Sequence, residues 1–79
     1  MKMEIEVISF GRISEFIPNQ KLHIAGIETT IGLQNYLEKT FPQLAGMKYK
    51  LALNKNLIQQ DTEIRNGDRI AIMPPFSGG

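Results

Sequence analysis

An α+β fold, a mixed sheet with one main helix packed on one face, is predicted by three features of this 79-residue sequence. Short segments rich in β-branched residues alternate apolar and polar side chains, the period of a half-buried strand. One stretch, beginning at Thr30, places apolar residues at helical spacing instead. Turn signals at Pro18-Asn19, Asn54-Lys55-Asn56 and Asn66-Gly67-Asp68 separate the segments.

Residues 3–10 open the chain as a strand, with Met3, Ile5 and Val7 on one face and Glu4, Glu6, Ile8 and Phe10 on the other. Gly11 breaks the alternation and starts a long loop. Lys21 to Ala25 forms a second strand that pairs Leu22 with Ile24, close enough in sequence for an antiparallel partner. His23 between them falls on the outer face of an edge strand. Thr30 is expected to cap the helix, which buries Leu33, Tyr36, Leu37 and Phe41. Leu33 stands where a capping box would have Glu or Gln, and Gly32 costs about 1 kcal/mol against Ala. Packing must therefore hold this helix. Pro42 restricts Phe41 and closes it. Lys50 to Asn54 is a third strand with Leu51 and Leu53 inward, and Leu57-Ile58 a brief fourth. The last strand runs from Arg69 to Met73, with Ile70 and Ile72 sharing a face. A helix laid across one face of the sheet buries all these inward residues, and that arrangement is the β-grasp architecture. It occupies residues 1–73, with residues 74–79 as a flexible tail.

Composition excludes several function classes. The chain is one domain, because two would not fit in this length. Nine Lys and Arg against eight Asp and Glu give a charge of +1, which removes the electrostatic case for nucleic acid. Lys48, Lys50 and Lys55 come nearest to a basic cluster, and a solvated edge explains them as well as a partner does. The absence of cysteine excludes disulfides, thiolate metal sites and a cysteine nucleophile. No metal site, bound cofactor, membrane span or secretory signal is expected, so the chain reads as cytoplasmic. Its lone His23 lacks an orienting partner, and Asp61 and Asp68 fit turn chemistry. Catalytic residues are too few for an active site, so the chain is expected to supply one piece of another protein's.

Two segments carry the functional expectation. On the sheet face opposite the helix, Ile8, Phe10, Ala52, Ala71 and Met73 come together, joined by Leu57. Nothing in the strand pattern buries them, and a contiguous apolar group marks a partner surface. The alternative is that the loop 11–20 or the segment 59–66 folds over them. The tail is the other segment. Pro74 and Pro75 favour an extended path, and six residues reach roughly 20 Å. Gly78 and Gly79 lack Cβ atoms and so can pass through a narrow channel, and the Gly79 carboxylate is expected to be the group the tail presents.

These features resemble the ubiquitin-like sulfur-carrier (MoaD/ThiS) family, and within it the molybdopterin synthase small subunits. The likeness is carried by the opening strand through Phe10, by Thr30-Ile31 and Leu33 with Tyr36-Leu37, by Leu53-Asn54 with Leu57, and by Asn66-Gly67-Asp68. Its specific part is Pro74-Pro75-Phe76-Ser77-Gly78-Gly79. The thiamine-pathway carriers are typically shorter and lack the proline pair. The resemblance implies that an E1-like enzyme adenylates Gly79 with ATP and that a sulfur donor such as a cysteine desulfurase makes the thiocarboxylate. The tail then enters the synthase large subunit, in a heterotetramer, and delivers sulfur to a pyranopterin precursor. Gly78 gives passage, and Phe76 and Ser77 steer. Phe10, Leu57 and Met73 match apolar partner contacts of the family, in agreement with the face deduced from alternation. Where many relatives carry a basic residue after the first strand, this chain has Ser14, with Arg12 two residues earlier. Other readings are a carrier for thiamine thiazole or tungsten cofactor synthesis, a ubiquitin-like protein modifier, or a passive binding module.

Overall fold

The alternating opening segment is strand β1, Lys2–Ser9, in a computed structural model that describes residues 2–58 and 60–75. β2 spans Gln20–Ala25, β3 Lys50–Leu53, β4 Asn56–Leu57 and β5 Arg69–Met73. Helix α1 covers Thr30–Thr40, and a single turn, α2, covers Pro42–Ala45. The sheet order is β2-β1-β5-β3-β4. Neighbours are antiparallel except β1 and β5, which run parallel at its centre. The mixed sheet with a helix on one face is the β-grasp arrangement expected.

Ile5, Val7, Ile24, Leu51, Ile70 and Ile72 are buried from the sheet, against Leu33 and Leu37 of α1 and Leu44 of α2. Each large side chain so buried contributes on the order of 1.5–3 kcal/mol. Tyr36, Phe41, Leu22 and Leu53 pack partly buried around this core. Three further core residues, Ile13, Ile17 and Ile64, come from segments without a strand or helix period. Residues 11–19 include a 3-10 helix, Gly11–Glu15, which turns Ile13 inward, Ile17 follows it into the core, and the segment after β4 contributes Ile64. Both segments therefore close the helix side of the sheet.

The capping of α1 corrects the expectation. The N-cap residue is Thr29, its side chain makes no capping bond, and Thr30 begins the helix. The cap arrives from thirty residues away. Asp61 Oδ1 accepts the Ile31 backbone N–H at 2.9 Å and the Thr30 hydroxyl at 3.2 Å, while Thr30 Oγ1 accepts the Thr62 N–H. Backbone bonds from Thr30 N–H to Thr62 and from Ile64 N–H to Glu28 complete the stitch. A carboxylate at a helix N-terminus satisfies orphan donors and opposes the helix dipole. Hydrogen bonding from the Ile31 N–H holds the Asp61 carboxyl below its ordinary value, outweighing the opposing desolvation.

The β3–β4 turn also pins the sheet. Asn54 and Lys55 both have positive φ, 49° and 76°, as a two-residue hairpin with this twist requires. Asn54 uses the geometry well. Its Oδ1 accepts the Arg69 N–H and its Nδ2 donates to Asp68 Oδ1, tying the turn to the start of β5. Lys55 has no such compensation and pays roughly 1–2 kcal/mol for its left-handed backbone.

Because the native Asp61 carboxyl is depressed, its stabilisation is complete above the unfolded value of about 4 and is lost as pH falls through the native value. Asp61→Ala is expected to melt below the parent at neutral pH. In thermal melts the gap between the two proteins should narrow as pH falls below about 4; a gap that stays constant in acid would remove the charged cap.

Candidate functional site on the uncovered sheet face

Strand register assembles the face opposite α1. Ile8 lies beside Ala71, Ala71 beside Ala52, and Ala52 beside Leu57, so one apolar row crosses four strands. Met73, paired with Lys50, extends the row toward the end of β5. Phe10 follows β1 at the same end and remains 50% exposed, while Leu57 is 47% exposed. Ile8, Ala71 and Met73 are half-buried. Ala52 is buried at 6%, so it forms the floor of the row and presents little to a partner. With Ile13, Ile17 and Ile64 committed to the core, the two candidate covering segments leave this face open. An open apolar row of this kind is what partner surfaces look like.

The tail leaves from the edge of that row. Parallel pairing places the ends of β1 and β5 together, and the Phe10 N–H donates to the Ile72 carbonyl at 3.0 Å. Pro74 then sits against Gly11, where a Cβ would come within 2.8 Å of its ring. Gly11 has φ +61°, so both space and backbone call for glycine there. The sequence marks Gly11 only as a break in alternation; its role as the seat of Pro74 requires the distant strand. Pro74 is half-buried and Pro75 exposed, which directs the chain outward. Phe76, Ser77, Gly78 and Gly79 lie outside the described residues.

Several polar groups elsewhere are occupied structurally. An open concavity of about 480 Å³ beside β4 is lined by Ile31, Gln34, Tyr49, Leu57 and Asp61, among others. Asp61 caps α1, and Tyr49 donates its hydroxyl to Glu38. Burial first, and the Glu38 carboxylate second, raise the Tyr49 phenol well above its ordinary value. His23 is exposed on edge strand β2, 3.6 Å from Glu4. Ser14 donates its hydroxyl to the Gly11 carbonyl within the 3-10 helix. Among the described residues no group of His, Cys, Asp or Glu is arranged to hold a metal, and no helix is long and apolar enough to cross a membrane.

The sequence matches the ThiS family over residues 7–79. The chain belongs to that family. It is 30% identical to the molybdopterin synthase sulfur carrier subunit of Dictyostelium discoideum, with all of both chains covered. It is 32% identical to the Arabidopsis thaliana protein of the same name, over 98% of this chain and 84% of that one. Among solved structures it resembles, at 29% identity and a TM-score of 0.66, a chain of the protein–protein complex of subunits 1 and 2 of molybdopterin-converting factor from Helicobacter pylori. That likeness covers 98% of this chain and 100% of the other. A ThiS-family member thus presents its apolar row beside the root of its tail.

Gly11→Ala is expected to lower stability by about 1–2 kcal/mol through its positive φ and to displace Pro74. Denaturant unfolding measures the first effect. Chemical-shift changes centred on Phe10, Met73 and Pro74 should report the second, and changes absent from those residues would break the link between Gly11 and the tail exit.

Proposed function

We propose that this chain is the sulfur carrier and small subunit of a molybdopterin synthase, with Gly79 as its reactive residue. The supporting observation is the placement of the tail root, Pro74, at the rim of an open apolar row, in a chain aligned with two carrier subunits along its length. A docking face continuous with a tail lets a partner hold the body while the chain end enters an active site. Binding energy gained remotely then positions the reacting group.

Transfer begins when a Gly79 carboxylate oxygen attacks the α-phosphorus of ATP on an E1-like enzyme, releasing pyrophosphate and leaving an acyl-adenylate. The outer sulfur of a persulfide on a donor such as a cysteine desulfurase displaces AMP to give an acyl disulfide. A second thiol, supplied by the partner enzymes, attacks the donor's sulfur, forming a disulfide with it and releasing the thiocarboxylate. In the large subunit the thiocarboxylate sulfur attacks a carbon of the pyranopterin precursor and displaces an oxygen bound to it, one sulfur being delivered per carrier. Water then cleaves the acyl–sulfur bond and restores the carboxylate. Gly78 and Gly79 offer the least obstruction to nucleophiles and to a narrow channel. Phe76 and Ser77 steer the tail, and Phe10, Ile8, Leu57, Ala71 and Met73 carry the docking contact.

Intact-mass measurement after incubation with the activating enzyme, ATP and a sulfur source should show exchange of one oxygen for sulfur at Gly79. Conditions that thiolate a known carrier but leave this one unchanged would overturn the reading. Reconstitution with the large subunit should yield the dithiolene, which separates this recipient from thiazole and tungsten-cofactor synthesis. Phe10→Ala should leave the fold intact, since the ring is half exposed, while weakening large-subunit binding by about tenfold or more. Titration calorimetry checks the affinity, and an unchanged value would take Phe10 out of the docking face.

A further inference from the structure

At the end of the apolar row remote from the tail four charged side chains gather, and three of them are engaged: Glu6 with Arg69, and Asp68, whose carboxylate accepts from Asn54 Nδ2 and from the Arg65 N–H. Glu6 and Arg69 lie in register on β1 and β5, with Arg69 Nε donating to Glu6 Oε1 at 2.9 Å, so they neutralise one another. Lys55 stands beside them, lining with Glu6, Asn54, Gly67 and Arg69 a shallow concavity of about 240 Å³. Among the described residues Lys55 makes no hydrogen bond or ion pair. It nonetheless occupies a left-handed backbone position, φ 76°, at which glycine is the unstrained choice. The chain therefore carries a strained, unengaged lysine at the corner of the open face.

We propose that Lys55, with Arg69, receives a carboxylate of the sulfur-accepting partner and sets the angle at which the carrier docks. This rests on the sulfur-carrier reading above. Apolar contact is non-directional and leaves a flat row free to rotate on its partner. The tail root supplies one anchor. Arg69 starts β5 and Met73 ends it, so the charged corner lies about 13 Å away along the strand. Two anchors at that separation define a single orientation. Arg69 spends its Nε on Glu6 and keeps its terminal nitrogens as further donors. An incoming carboxylate is repelled by Glu6 and Asp68, and Lys55 together with Arg69 supplies the charge that offsets this. Complementary charges at an interface rim act on encounter and register in this way.

The test compares Lys55→Gly, Lys55→Arg and Lys55→Glu with the parent, measuring melting temperature and association with the molybdopterin synthase large subunit at low and high salt. Lys55→Gly should melt above the parent because the strain is gone, yet bind roughly two- to fivefold more weakly at low salt, a difference that fades as salt screens the charge. Lys55→Arg should bind as the parent does, and Lys55→Glu more weakly than Lys55→Gly. A Lys55→Gly protein that binds like the parent, or melts below it, overturns the proposal while leaving the carrier function standing. A parent that does not bind the large subunit at all sinks the carrier reading, and this proposal with it.

Discussion

Parallel pairing of the first and last strands at the centre of the sheet is the constraint on which the molecule depends. Parallel neighbours need a long connection, and here nearly the whole chain is that connection. Both strands are flanked on each side, so Val7, Ile70 and Ile72 sit in the deepest part of the core. The same pairing brings the two strand ends together, which seats Pro74 on Gly11 and places Phe10 beside Met73. One interaction thus stabilises the domain and aims its tail.

A small sheet covered on one side must leave its other side to water or to a partner. Here the helix, the 3-10 segment and the stretch around Ile64 all serve a single core, which a domain of this size needs in full. The open side carries an apolar row bounded by charge, with Glu6 and Arg69 at one end and Lys50 at the other. Division of labour follows. In the function proposed above, the body supplies recognition and the tail supplies the reacting group.

The strained turn and the remote cap illustrate two ways in which sequence neighbours are overruled. Asp61 serves a helix thirty residues earlier because Thr29 and Thr30 leave its first turn undersupplied. Lys55 accepts an unfavourable backbone that its own packing does not repay. The first is a device for stability, and the second is the position proposed above for recognition.

Much of this was legible in the primary structure, since alternation and helical spacing are local properties of a chain. The faces of β1, β3 and β5, the burial of Leu33 and Leu37, the turns at Asn54-Lys55 and Asn66-Gly67-Asp68, and the open row from Ile8 to Leu57 all follow from period and turn chemistry. So does the exposed place of His23. Tertiary structure alone decided what depends on long-range neighbours. Ile13, Ile17 and Ile64 have no regular period to announce them, and the Asp61 cap joins segments that meet only after folding. Ala52 shares the open face by parity yet is sheltered by its neighbours. Gly11 is an ordinary break in a strand until Pro74, sixty-three residues later, arrives against it, because a steric demand exists only once both partners occupy the same space.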